Sequence, residues 1–330
     1  MIFSKAKWNS GKEIGKYVPT SASLSFDKME SSLQSASDLF LLPLLGADMM
    51  ADLDTIYDKE SSTRTEQEQL LLDIAQRAVA NLSMWYNFDA LQLRITDQGF
   101  QRQGSEDWQQ AYKYQEDRLR EGFKTKGFNA VDHLLDFLEE NMSEFAHYVD
   151  APAHIDRVLA LVKDTEEVQK WVNIGHSRLM FLRFTSEFPT VEEDVLLPEL
   201  GAKLYDKLLL WVAGDEQYPD TYKVPLEDFR KKCVRVMVTA AAIRILKHTG
   251  SLTERGLYFE EVCTGATENI SKKSATDAQI GSRLETFEND LRHALASLRS
   301  FVRENYTDIV DVQAGHVVRD NDGHAGFFAM

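Results

Sequence analysis

The sequence predicts a mainly α protein made of two tandem copies of one helical module, each carrying a short β-hairpin. Three observations predict it. The run Leu41-Leu42-Pro43-Leu44-Leu45-Gly46 returns as Leu196-Leu197-Pro198-Glu199-Leu200-Gly201. Apolar residues recur at helical spacing from Glu66 to Ala90 and again from Leu226 to Lys247. Each of these stretches leads to the same kind of turn, Thr96-Asp97-Gln98-Gly99 in the first half and Thr253-Glu254-Arg255-Gly256 in the second.

The repeat extends outward without a change of spacing. Ser35 matches Thr190, Met49 matches Leu204, Leu53 matches Leu208 and Ile56 matches Trp211, while Leu24 and Phe26 match Leu179 and Phe181. Each module therefore reads, in order, as a strand, a short helix, a helix after Leu-Leu-Pro, a long helix, a hairpin and a long closing helix. Pro43 and Pro198 suit a first helical turn, where the missing N–H has no intrahelical partner to lose. Thr63 with Glu66, and Thr190 with Glu193, have capping-box spacing. Alternation of Leu91, Leu93 and Ile95 before the first turn, with Phe100 after it, predicts a hairpin in which Gly99 takes a positive φ. Leu252, Leu257 and Phe259 predict a shorter one around Gly256. Trp108, Tyr112, Leu119 and Phe123 start the first closing helix; Ile280, Leu284, Phe287, Leu291, Leu295 and Leu298 mark the second.

These elements divide the chain into an N-terminal arm (1–21), a first helical module (22–141), a bridging helical segment (142–170), a second module (171–306) and a C-terminal arm (307–330). Residues 264–279, rich in Ser, Thr, Lys and Asn, read as a loop inside the second module. The first 21 residues carry Lys5, Lys7, Lys12 and Lys16 and have no apolar core of a signal peptide.

Composition narrows the function. With 43% hydrophobic residues the 330-residue chain has material for two domain-sized cores. The formal charge of -16 opposes any grip on nucleic acid, whose non-specific affinity rests on cations neutralising phosphates. The longest apolar run, Leu39 to Leu45, is interrupted by Pro43 and falls far short of the ~20 residues a bilayer span requires, so no membrane partner is expected. Two cysteines, Cys233 and Cys263, make no disulfide framework and fit a reducing compartment; Cys233 lies in an apolar helical run as a structural thiol.

Familiar catalytic constellations fail when spelled out. Gly122 and Gly127 have Walker A spacing, but Phe128 and Asn129 stand where Lys and Ser or Thr are required. Asp320-Asn321-Asp322-Gly323 starts like a calcium loop, yet no closing Glu is present after it. The histidines show no His-Glu-x-x-His run, and His147, His154 and His176 read as separate surface or cap residues. Carboxylate clusters such as Glu192-Glu193-Asp194 read as solvated faces. The expectation is a non-enzymatic protein without metal or cofactor. Phe327 and Phe328, on a glycine-rich tail, either fold back or anchor an extended arm on a neighbour.

Leu24-Ser25-Phe26-Asp27-Lys28, Leu41-Leu42-Pro43-Leu44-Leu45-Gly46, the helix around Arg77-Ala78-Val79-Ala80, Leu93-Arg94-Ile95-Thr96-Asp97-Gln98-Gly99-Phe100 and Leu134-Leu135-Asp136-Phe137-Leu138-Glu139-Glu140 resemble an uncharacterised family of Bacteroidetes phage and prophage proteins. That family is similar to the small helical head-tail adaptors, or connectors, of tailed phages. The resemblance covers residues 22–141, and the second module is linked to it through the internal repeat. It implies a structural virion protein of the neck, assembled in the host cytoplasm. Its partners would be the portal, tail or other neck proteins, and further copies of itself in a ring, dodecameric as in related adaptors. Contact candidates are then Thr96, Asp97, Gln98, Gly99 and Phe100, Thr253, Glu254, Arg255 and Gly256, and Phe327 and Phe328. The competing expectation is a ligand-binding protein or enzyme with its site in the cleft between the modules, or a scaffold of a phage-like bacterial machine.

Overall fold

The computed structural model describes residues 1–20, 24–96, 99–102, 113–214, 226–249, 258–262, 270–274 and 276–306. The described chain is mainly α. In order, its helices are α1 (Phe26–Ala36), α2 (Leu42–Asp58), α3 (Glu66–Tyr86) and α4 (Phe88–Gln92). Next come strands β1 (Leu93–Thr96) and β2 (Gly99–Arg102), then α5 (Lys113–Glu140), α6 (Pro152–Leu159), α7 (Thr165–Gln169) and α8 (Arg178–Val191). The chain continues through α9 (Leu197–Leu200), α10 (Ala202–Val212), α11 (Leu226–Thr249), β3 (Tyr258–Val262), β4 (Ile270–Ser274) and α12 (Asp277–Asn305).

Leu24 and Phe26, expected on a strand, instead lead into α1. Phe26, Met29, Leu33 and Ala36 recur at helical spacing and are all buried, so a single helical face meets the core. The matching residues Leu179 and Phe181 likewise lie in α8 rather than on a strand. Between α1 and α2 the chain makes a π turn over Ser37–Leu41, and Glu192–Leu196 makes another between α8 and α9. Both precede a proline at the second helical position. A proline there has no N–H to donate, and its ring collides with the carbonyl four residues back; widening the preceding turn moves that carbonyl aside. Shortly after each proline a glycine takes a positive φ, +73° at both Gly46 and Gly201, which breaks the helix and redirects the chain.

The capping signals fall elsewhere than the spacing predicts. Thr65, not Thr63, caps α3: its hydroxyl accepts from the Glu68 N–H at 3.1 Å, and Glu68 accepts from the Thr65 N–H at 3.1 Å. Thr190 sits inside α8 and caps nothing, because the helix runs on into the π turn. A second reciprocal box, Thr276 with Gln279, starts α12.

Two cores form. The first gathers residues from Ile2 to Ala151, with α3 laid along α5 and α1 against α3. The second gathers Leu161 to Tyr306, with α11 along α12 and α8 against α11. Residues 1–20 are not a separate arm. Ile2, Phe3, Trp8, Ile14 and Val18 are buried in the first core, and the Gln76 amide donates to the Ile2 carbonyl at 2.7 Å. The bridging segment is shared, since Phe145, Tyr148 and Ala151 belong to the first core and Val162 and Val168 to the second. The halves meet where α2 and α10 touch α6 and where α5 touches α8.

β1 and β2 pair antiparallel with Thr96 opposite Gly99, and β3 and β4 pair with Val262 opposite Ile270. The second pairing lies later than the sequence predicts. Its strands flank residues 263–269 rather than the Thr253–Gly256 turn, so β4 occupies part of the segment read as a loop.

Candidate functional site

The cleft between the halves holds a cavity of about 340 Å³. Its walls are Leu44 of α2, Leu135 of α5, Tyr148, Leu161 and, from α8, Phe181 and Phe188. The apolar faces of two amphipathic helices converge here, because α5 and α8 each turn one buried stripe inward and meet at their edges.

Charged side chains frame this apolar space, and four of them, Asp132, Arg157, Asp164 and Arg178, take part in ion pairs. The Arg178 guanidinium, on the first residue of α8, donates to Asp132 of α5 at 2.7 Å and joins the two halves directly. Arg157 of α6 donates to Asp136 at 2.9 Å and to Asp164 at 3.2 Å. Asp164 in turn caps α7 by accepting from the Glu167 N–H at 2.8 Å. Burial pushes the Asp164 carboxyl above its ordinary value, against the opposing pull of that N–H and of Arg157. Burial likewise raises Glu192, which accepts a hydrogen bond from Tyr205. The Tyr148 hydroxyl donates to Glu139 at 3.1 Å, and burial raises its pKa. Chemically, the cavity offers apolar walls behind a rim of mutually neutralised ions, an arrangement suited to holding the halves together or enclosing an apolar body.

Of the contact candidates read from the sequence, Thr96 ends β1, Gly99 opens β2 and Phe100 pairs with Ile95 across the ribbon. Asp97 and Gln98 lie outside the described residues, as do Thr253, Glu254, Arg255, Gly256, Phe327 and Phe328. The three histidines go to three different carboxylates: His147 to Asp52 at 2.7 Å, His154 to Glu139 at 3.1 Å and His176 to Glu166 at 2.5 Å. Among the described residues no group of three or more His, Cys, Asp or Glu side chains converges to hold a metal ion. Cys233 is buried, and burial pushes its thiol far up. Among the described residues no helix is long and apolar enough to cross a membrane.

Sequence reasoning missed Arg178, Asp132, Arg157 and Asp164 as a group. The available signal was Arg178 itself, placed three residues before Phe181 on the buried side of an apolar helix, where an unpaired charge is costly and a partner is implied.

The chain matches a family of unknown function (DUF6712) over residues 41–158. That span starts at the first Leu-Leu-Pro run and ends in α6. No curated protein and no solved structure matches the chain.

Proposed function

We propose that this protein is a duplicated assembly subunit, a head-tail connector that packs in a ring between portal and tail and acts by contact rather than by catalysis. The observation that carries the reading is the pair of antiparallel ribbons. Each is a two-stranded sheet, so each strand has a single strand partner among the described residues, and a strand edge of this kind is where another chain can pair. The duplication is supported by parallel construction. In both halves a π turn, a Leu-Leu-Pro turn and a glycine at φ +73° come after the first long helix, and a ribbon separates two long helices that pack on each other. The same order of packing recurs: α1 on α3 and α3 on α5 in one half, α8 on α11 and α11 on α12 in the other.

The acidic balance suits a subunit that lines a channel for DNA, since a negative wall repels phosphates and lets a genome slide. A second reading, a ligand-binding protein, draws on the 340 Å³ cleft cavity. Its paired ions favour a joint over a reaction site, so the assembly reading comes first.

Mass photometry of the purified protein, alone and mixed with a tailed-phage portal protein from the same genome, tests the proposal. Rings or portal-dependent complexes are expected. A monomer indifferent to portal would overturn the connector reading and shift attention to the cleft.

A further inference from the structure

On a chain carrying a formal charge of -16, a polar groove between α3 and α5 has the opposite sign. We infer that this groove is a binding site for a phosphate-bearing small molecule.

Two helix stripes and one turn build it. On α3, Asp73, Arg77 and Asn81 come at four-residue steps and so share one face. On the facing side of α5, Lys126, Asn129 and His133 lie within two turns of each other along one stripe. Lys16 and Tyr17, at the end of the 3-10 turn Ile14–Lys16, close one end. The space enclosed is about 520 Å³, within the range that accommodates small organic ligands and well beyond a lone ion's needs.

Three cations line the groove with one carboxylate, Asp73, and a second carboxylate, Glu13, lies close enough to act electrostatically on Lys16. Asp73 is already engaged, accepting from Arg77 at 2.7 Å and from the Tyr17 hydroxyl at 3.0 Å. Lys16 and Lys126 make no ion pair within the described residues, and both are exposed at the rim. The two ammonium groups, the remaining N–H groups of Arg77 and the Asn129 amide supply more donors than Asp73 and Glu13 engage. A phosphate, with three acceptor oxygens and up to two charges, matches that set better. At the buried end Asn81 is 1% exposed; it donates to the Arg77 carbonyl at 2.8 Å and leaves Oδ1 without a partner. That oxygen is closed off from the groove, so Asn81 braces α3 beneath the cationic groups and the exposed donors are what a ligand meets.

Isothermal titration with inorganic phosphate, pyrophosphate and ATP, at matched ionic strength against sodium chloride, tests the site. Saturable one-to-one binding is expected, weakened about tenfold by Lys126→Gln and further by the Lys16→Gln, Lys126→Gln pair. Equal affinity for pyrophosphate and ATP would assign the site to free phosphate chemistry, and tighter ATP to a carried phosphate. Either result sustains the proposal. No heat above the chloride control would overturn it. So would binding undiminished in the double variant, or a response to a DNA duplex with none to pyrophosphate or ATP. Both lysines are exposed, so the variants should keep the wild-type unfolding midpoint in chloride. Should they not, Asn129→Asp at an exposed position of α5 provides the same test by adding a like charge to the ligand's.

Discussion

Gly127 of α5 sits directly over Leu82 of α3: a Cβ at Gly127 would lie 2.7 Å from both Leu82 Cγ and Cδ2, and 3.2 Å from its backbone nitrogen. The glycine that imitates nucleotide-loop spacing in the sequence is there so that two long helices can approach closely. Gly127→Ala should therefore destabilise the protein by about 1–3 kcal/mol, the usual cost of overpacking. Gly122, one and a half turns earlier on the same helix, faces open space. Gly122→Ala should raise stability by up to about 1 kcal/mol through helix propensity. Urea unfolding midpoints of the two variants should move in opposite directions, and a Gly127→Ala midpoint at or above wild type would contradict the packing account.

Gly46 and Gly201 occupy an extended positive-φ region that is essentially glycine-only, φ +73° with ψ 172° and 152°, in equivalent turns. An alanine at either position should cost about 1–2 kcal/mol in backbone strain. Space does not separate the two, since an added Cβ at Gly46 would meet Pro152 Cδ at 3.4 Å, an ordinary van der Waals distance, and nothing lies within 4 Å at Gly201. Thermal scans should show both variants melting earlier, by similar amounts.

Arg178 and Asp132 form an ion pair between the halves with side-chain exposures of 9% and 23%. Removing either partner leaves a poorly hydrated charge and should cost about 3 kcal/mol, the lower end for a buried pair broken on one side. A double-mutant cycle with Arg178→Met and Asp132→Leu should give a coupling of about 1–3 kcal/mol, the double variant being more stable than the sum of single losses predicts. Strict additivity would mean that the two side chains do not cooperate.

Acid should act oppositely on two buried glutamates. For Glu167, burial alone would raise the carboxyl, but the Arg230 guanidinium and the Lys163 N–H outweigh it and hold the group below 4.5. A depressed folded pKa contributes stability that is present above pH 4.5 and lost as pH falls through the folded value. Glu13 is raised above 4.5 by burial, despite hydrogen bonds from Tyr57 and Gln76, and its Oε2 has no partner. Its ionised form is a liability at neutral pH that disappears as the folded carboxyl takes a proton. Glu167→Gln should lower the urea midpoint at pH 7 and Glu13→Gln should raise it, with both differences shrinking by pH 3.

The helical character was legible because it rests on local rules, an apolar period and a proline suited to the first helical turn. The features that escaped the sequence depended on partners far along the chain. Ile2 and Phe3 look like the start of a lysine-rich arm until the Gln76 side chain, 74 residues away, is seen holding the Ile2 carbonyl. Thr63 and Thr65 both have a glutamate three residues on, and only the actual start of α3 chooses between them. Leu24 and Phe26 carry the alternation of a strand over too few residues to separate it from a helix start. The ions of the cleft were invisible as a group because Arg178 and Asp132 are 46 positions apart and neither belongs to a motif. The basic groove was hidden likewise, its cations being scattered over three elements of an acidic chain.

The π turns at Ser37–Leu41 and Glu192–Leu196 also set the angular phase of the helical turns after them. A helix advances about 100° per residue, so one extra residue in a turn rotates every later side chain by that amount while preserving the direction of travel. Leu41 and Leu45, both buried, point inward with that residue present. Deleting Asp38 would remove the wide turn, bring the Pro43 ring against the carbonyl four residues back and swing the Leu45 side of the next turn toward solvent. In this protein, regularising a helix and preserving its fold are therefore opposing operations at two matched places in the chain.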